Sequence, residues 1–362
     1  MRVAFDEQIF AIQRYGGISR VFAQLARQFV LEPIDDVQVL AFNAPVVNRY
    51  LLDHPELSGP LGAKQAHNEW TALAHYLTRP QTHPRCEIVH NSFYLPHGLA
   101  PVKGAKRIVT IHDMIPERLP QTRRRLDRLT LKQRYVRKAD HIICVSQATR
   151  DDLEDIYGPL DVPVSVVHHG VDERFRPDVP RLDVLPERYV LFVGNRGQYK
   201  DARVLFEAFA QIAQDLPDLH LLCVGGAGLS LQEVQWLAEC GIRDRVSQRY
   251  LSDAEIASAY AHAEVFVFPS RFEGFGLPAL EAMASGTPVV LANATSLPEV
   301  GANAAVYFTP GNTQELAGSL TSVLTDQTLQ QQLVARGRER AATFTWHAAA
   351  RKTAAVYRQA HE

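Results

Sequence analysis

Short apolar runs alternate with amphipathic stretches from one end of this chain to the other, and no other feature limits its fold so tightly. In the first half the runs fall at residues 3–5, 37–42, 87–91, 107–112, 141–146 and 164–168. In the second they fall at 189–194, 219–225, 246–250, 265–269, 288–292 and 305–308. Such runs read as strands, and the helical patterns between them are the crossovers that parallel strands require. Parallel sheets are covered on both faces, so their strands are apolar throughout. The expected fold class is therefore α/β, with parallel sheets assembled from βαβ units. At roughly 150 residues per domain, a chain of 362 residues makes two domains.

The boundary is expected at residues 170–188, where Pro177, Pro180 and Pro186 interrupt a stretch of little periodicity. Charge divides at the same place. Residues 1–172 hold 21 basic and 19 acidic residues, net +2, and residues 173–362 hold 17 and 21, net −4. The total of −2 makes no global case for nucleic-acid binding. No apolar run approaches the ~18 residues of a membrane-spanning helix, and Asp6 and Glu7 stand where a secretory signal would be apolar. Cys86, Cys144, Cys223 and Cys240 form no C-x-x-C pair and read as free thiols of a cytoplasmic protein.

Several helices follow from spacing. Ile18, Val21, Phe22, Leu25 and Phe29 share one face after Gly16 and Gly17. Ser252 and Glu255 have capping-box spacing before a helix ending near His262. Pro278 suits the first turn of a helix from about Leu277 through Met283. Residues 346–360 close the chain with a helical pattern. Between Arg118 and Lys138 lie Arg123, Arg124, Arg125, Arg128, Lys132, Arg134 and Arg137, with Asp127 as the one acid. Leu126, Leu129, Tyr135 and Val136 interleave, a pattern that suits either a basic amphipathic helix on anionic lipid or a solvated helix face.

Residues 268–300 carry the strongest chemical signal. A strand ends at Pro269, a loop with Gly274 and Gly276 follows, and a helix begins near Leu277. Glycines let a backbone approach a ligand closely, and the helix turns its free N–H groups and positive dipole end toward whatever lies above the strand. That arrangement suits a phosphate. Glu273 in the loop and Glu281 in the helix stand near the same sheet edge, where open α/β sheets bind ligands. Carboxylates accept hydrogen bonds from paired hydroxyls. The ligand these features describe has sugars flanking phosphates.

Glu273 and Glu281 are separated by seven residues, with Gly274, Phe275, Gly276, Leu277 and Pro278 between them. This resembles the E-x7-E signature of retaining glycosyltransferases of family 4, and residues 282–290 continue the likeness. The resemblance implies a GT-B fold: two Rossmann-like domains facing across a cleft, with the last helix crossing back to the first domain. Residues 1–172 with about 345–362 would bind the acceptor, and residues 173–344 the nucleotide-sugar donor. It places Gly16 and Gly17 over the donor diphosphate and His112 beside the donor sugar. Asp113 would cap the next turn.

After the strand at 189–194 come Asn195, Arg196, Gly197, Tyr199 and Lys200. The family carries an Arg immediately before the Lys, where this chain has Tyr199; Arg196 is expected to supply the guanidinium instead. Lys200 and Arg196 would then stabilise the departing diphosphate. The loops after residues 224 and 250, with Tyr250, would hold the base.

No Asp-x-Asp occurs. The scheme expected is therefore metal-independent and cofactor-free, with the nucleotide sugar as the donor. GDP-mannose is the expected donor and a UDP-hexose the alternative. The acceptor would be lipid-linked or an oligosaccharide, as in bacterial surface-polysaccharide mannosyltransferases, and the enzyme would sit on the inner face of the membrane. A nucleotide-sugar epimerase, a GT-B phosphorylase and a two-domain sugar-binding protein are the competing readings. A dinucleotide oxidoreductase is disfavoured because Gly194 to Gly197 breaks the G-x-G-x-x-G pattern.

Overall fold

A computed structural model describes residues 1–32, 34, 36–78, 85–122 and 131–362. The strands, in chain order, are β1 (Arg2–Phe5), β2 (Gln38–Leu40), β3 (Pro45–Val46), β4 (Lys64–Gln65), β5 (Ile88–Asn91), β6 (Lys106–Ile111) and β7 (His141–Cys144). They continue as β8 (Val164–Val166), β9 (Arg188–Val193), β10 (Leu219–Val224), β11 (Val246–Arg249), β12 (Val265–Phe268), β13 (Val289–Ala292) and β14 (Ala305–Phe308).

They form two separate sheets, ordered β2-β1-β5-β6-β7-β8 and β11-β10-β9-β12-β13-β14, and the pairings within both are parallel. The fold class is the two-sheet α/β class that the apolar runs require. The small parallel pair β3–β4 was not foreseen. Strands of two residues are too short to show a period.

The chain divides into two compact units, Met1–Gly170 with Trp346–Glu362, and Val171–Thr345. In the first, the helix Gly17–Leu31 buries Val21, Phe22, Leu25 and Phe29, the predicted stripe, while Ile18 stays half-buried. The final helix, Trp346–His361, packs on that helix and on β6 and β7. Tyr357, fully buried on it, meets Nδ1 of His90 at 2.7 Å. The end of the chain therefore completes the first unit's core, as a GT-B architecture requires.

The second unit begins earlier than its prolines suggest. Phe175 and Leu185 are buried, and the Phe175 ring stands edge-on to Tyr260 at 5.5 Å, so residues 171–187 are packed structure and not a spacer. The capping box at Ser252 forms, with Ser252 N–H donating to Glu255 Oε2 at 2.8 Å, but the regular helix starts only at Ile256 and ends at Ala261. Among the described residues, no helix is long and apolar enough to cross a membrane. All four cysteines are free thiols, and burial pushes Cys144 and Cys223 up to about 12.

Candidate functional site

In each sheet the chain starts in the middle and reverses direction once. The reversal lies between β9 and β12 in the second unit and between β1 and β5 in the first. Loops leave the carboxyl ends of such neighbours on opposite sides and open a crevice there. In the second unit the two loops that border this point carry Lys200 and Glu273.

These loops are tied together. Arg271 N–H donates to Tyr199 O at 2.8 Å, and its guanidinium donates to Asp201 Oδ2 at 2.6 Å. Lys200 Nζ pairs with Glu273 Oε1 at 2.5 Å, with side chains only 13% and 12% exposed. The ammonium also stands 4.6 Å from the Phe268 ring centroid, a cation–π contact. The backbone of the Glu273 loop is held from the far side: Glu273 N–H donates to Thr295 Oγ1 at 3.0 Å, and Ser296 Oγ donates to Glu273 O at 3.0 Å and to Phe275 O at 2.7 Å.

Beyond this loop, Gly276 sits at φ +114°, where a Cβ would stand 2.9 Å from Leu297 Cδ2. That left-handed residue turns the chain into the helix Leu277–Ala284, whose first N–H groups face outward from the strand end. Gly274 and Phe275 precede it, and Phe275 is buried against Phe344 with ring centroids 5.9 Å apart. Glu281 lies on the same helix and is 5% exposed; its Oε2 accepts from Tyr260 Oη at 2.8 Å. A helix start and two held carboxylates, one of them paired with a lysine, thus occupy one sheet edge.

Arg196, expected at the departing diphosphate, is turned toward Glu233 and the loop after β10. Its Nε donates to Glu233 Oε1 at 2.6 Å, and its Nη atoms donate to the carbonyls of Gly225, Ala227 and Gly228 at 3.3, 2.6 and 3.2 Å. Burial is the largest influence on Glu233 and pushes its carboxyl up, yet the bonds from Arg196 and Ser230 together hold it below its usual range. The guanidinium ties the loop after β10 to Glu233. Gly226 in that loop abuts Asn195, whose Cα would lie 3.2 Å from a Cβ at residue 226. Tyr250, just beyond β11, is 71% exposed.

In the first unit, Gly16 has extended backbone at φ 172° and lies against the end of the Gln13 side chain, which would have to shift for a Cβ. Gly17 opens the helix with nothing within 4 Å of where a Cβ would stand. His112 follows β6 and is 7% exposed, edge-on to Phe22 at 5.8 Å. Burial, then His169, His90 and Lys132, press its pKa well below the ordinary value, so the ring is neutral. Its Nε2 is buried without a hydrogen-bond partner, a cost of about 1–3 kcal/mol. His112 therefore offers a hydrogen bond and no charge. Asp113 Oδ1 accepts from Ile115 N–H at 3.0 Å and caps the next turn.

The basic segment divides. Arg123, Arg124, Arg125 and Arg128 lie outside the described residues. Arg118 is engaged with Asp152 and Asp155, and Lys132, expected on a solvent- or lipid-facing side, is 6% exposed and pairs with Glu117 at 2.9 Å. Arg134, Arg137 and Lys138 are exposed on the short helix Lys132–Lys138.

Comparison with known proteins follows the same division. Residues 15–175 match the model of Glycosyltransferase Family 4, and residues 181–340 that of Glycosyl transferases group 1. The chain is 30% identical over 282 residues to the O-antigen chain mannosyltransferase B of Escherichia coli, covering 74% of this chain and 72% of that one. It is 31% identical over 293 residues to the MMP alpha-(1->4)-mannosyltransferase of Mycolicibacterium hassiacum, covering 76% and 71%. The chain belongs to the GT-B glycosyltransferases. The fold of this glycosyltransferase is also that of sucrose-phosphate synthase from Thermosynechococcus elongatus, with TM-score 0.74, 22% identity, and 99% and 98% of the two chains covered. The enzyme transfers a sugar from a nucleotide-sugar donor.

Sequence reasoning missed several residues that shape this glycosyltransferase's loops. Asp6 is fully buried at the first sheet's reversal point and accepts from Ser92 N–H at 2.9 Å and from Asn91 and Gln8. Thr295, Ser296 and Tyr260 hold Glu273 and Glu281 from behind. A buried Asp after a first strand was the available signal for Asp6. Nothing in the local pattern marks Tyr260.

Proposed function

We propose that this glycosyltransferase is a retaining hexosyltransferase whose second unit takes the donor and whose first unit takes the acceptor. One observation carries the reading: Lys200 and Glu273 are ion-paired beside the start of the helix Leu277–Ala284, with Glu281 buried further along it. An arriving diphosphate takes Lys200 from Glu273 and lies against the N–H groups at Gly276 and Leu277, as anions do at helix starts. Glu273, released, accepts the hydroxyls of the transferred sugar, and Glu281 accepts those of the ribose. Asn195, Gly274, Phe275 and Tyr250 line the nucleotide. Lys200 and the helix dipole then stabilise the charge that develops on the leaving group.

In the first unit, the helix start at Gly16 and Gly17 suits an anionic group, and the neutral His112 suits a sugar hydroxyl. The acceptor hydroxyl attacks the face that the leaving group vacates and gives its proton to the departing phosphate oxygen, so the anomeric configuration is kept with no covalent nucleophile and no metal. The donor is GDP-mannose and the acceptor is lipid-linked or an oligosaccharide of a surface polysaccharide. The support for mannose is the pair of relatives named mannosyltransferases, and for a surface-polysaccharide acceptor the one named for O-antigen chain. The enzyme works in the cytoplasm at the membrane's inner face, with Arg134, Arg137 and Lys138 toward anionic lipid.

The test is nucleotide release from a panel of GDP- and UDP-sugars, followed by NMR of the product's anomeric proton. GDP-mannose is expected to turn over fastest and to give an α-linked product. Release from a UDP-hexose alone moves the donor to the alternative, conversion of the donor sugar without acceptor makes the protein an epimerase, and a β-linked product refutes retention.

A further inference from the structure

Tyr260 lies on the short helix Ile256–Ala261 and is fully buried. Its ring is clamped edge-on by Phe175, with centroids 5.5 Å apart, and tilted against Phe266 of β12 at 5.6 Å. Its carbonyl accepts from the hydroxyl of Thr287, which is itself buried. Backbone and ring are thus fixed from three directions, and the phenol that they aim ends 2.8 Å from Glu281 Oε2. A tyrosine that only filled the core could be a phenylalanine. This one brings a polar group inside and spends it on a carboxylate of a different helix.

We infer that Tyr260 is a positioning residue for nucleotide recognition: its phenol holds the Glu281 carboxylate in the one plane from which it reads the ribose hydroxyls. The inference rests on the reading of Glu281 as the ribose acceptor. An ionised carboxylate accepts up to about four hydrogen bonds, so one donated by Tyr260 leaves the group competent to take others while fixing where its oxygens lie. The bond is buried and made to a carboxyl oxygen at 2.8 Å. Without it, the carboxylate on its flexible Glu stem is held less closely, and part of its preference for a diol is lost as orientational freedom.

The consequence is selective. Tyr260 should govern discrimination between ribo- and deoxyribonucleotides and leave phosphate binding untouched, because the diphosphate is held by Lys200 and the helix start. The experiment is calorimetric titration of the full-length enzyme with GDP and with 2′-deoxy-GDP, repeated with UDP and 2′-deoxy-UDP. Wild type is expected to favour the ribonucleotide by about tenfold, one charge-assisted bond's worth of about 1.4 kcal/mol. Glu281→Gln should shrink that ratio to within about twofold. Tyr260→Phe should shrink it to within about threefold while the Kd of the deoxy ligand stays within about twofold of wild type.

Phe175→Leu is the packing control. It thins the packing on the Tyr260 ring without removing the phenol, lowers the melting temperature and should keep most of the wild-type ratio. A Tyr260→Phe enzyme that keeps the full ratio overturns the inference, and so does a Phe175→Leu enzyme that loses it as completely. If Glu281→Gln leaves the ratio intact, or wild type has none, the ribose reading of Glu281 falls first and takes the inference with it. The two failures are therefore told apart by the Glu281 variant.

Discussion

Replacing Arg196 by Met separates a structural arginine from a catalytic one. The guanidinium donates to Glu233 and to the carbonyls of Gly225, Ala227 and Gly228, with only 5% of its side chain exposed. Removing it strands a carboxylate that is 13% exposed. Breaking one side of a buried pair costs about 3–5 kcal/mol, and the lower figure applies here because Glu233 Oε2 still accepts from Ser230 N–H. Spread over the unit Val171–Thr345, about 3 kcal/mol lowers Tm by about 6–12 °C. Adding Glu233→Gln keeps the capping side chain, removes the stranded charge and should restore about half of that loss. Calorimetry gives Tm for both variants, and donor hydrolysis at 25 °C gives kcat, expected within about fivefold of wild type. A loss of a hundredfold or more in kcat with Tm unchanged would refute the structural role and return Arg196 to the leaving group.

Acid should weaken the first unit. Burial holds His90 and His169 at about 3 and presses His112 well down, against an ordinary value of 6.5. Unfolding lets each ring take a proton below about pH 6.5, so stability is complete above that pH and falls by up to about 1.4 kcal/mol per pH unit for each ring as pH drops toward 3. The urea midpoint, followed by intrinsic fluorescence at pH 7.5, 6 and 5, should fall steadily, and a flat profile contradicts the burial. Gly276→Ala should cost about 2 kcal/mol, since φ is +114° and the new Cβ meets Leu297, and should weaken donor binding as well as Tm; unchanged Tm would show that the loop relaxes freely. Replacing Arg123, Arg124 and Arg125 by Ser should weaken sedimentation with anionic vesicles, and unchanged binding would end the lipid role of that segment.

The strands were legible because those such as β12 and β13 are buried along their whole length and so read as unbroken apolar runs. Glu273, the glycines and Glu281 were legible because a glycine turn, a helix start and a carboxylate a turn later must follow one another in sequence to meet in space. Direction was not legible. Arg196 and Lys200 lie on one loop, and spacing says nothing of which cation turns to Glu233 and which to Glu273. Lys132 misled for a related reason: it opens a basic helix, yet its ammonium stands over the Tyr94 ring and reaches Glu117 inside the unit. Tyr260 was invisible because an aromatic in an apolar helix reads as packing, and its partner lies in another helix.

The central claim is that Lys200, shared between Glu273 and the donor's diphosphate, drives departure of the nucleotide. Its most direct test is single-turnover nucleotide release by wild type and by Lys200→Ala with the best donor of the panel. Removing one such electrostatic donor is expected to slow release by about 10²–10³-fold, with Tm within a few degrees of wild type. Release at the wild-type rate from a folded Lys200→Ala enzyme would contradict the account.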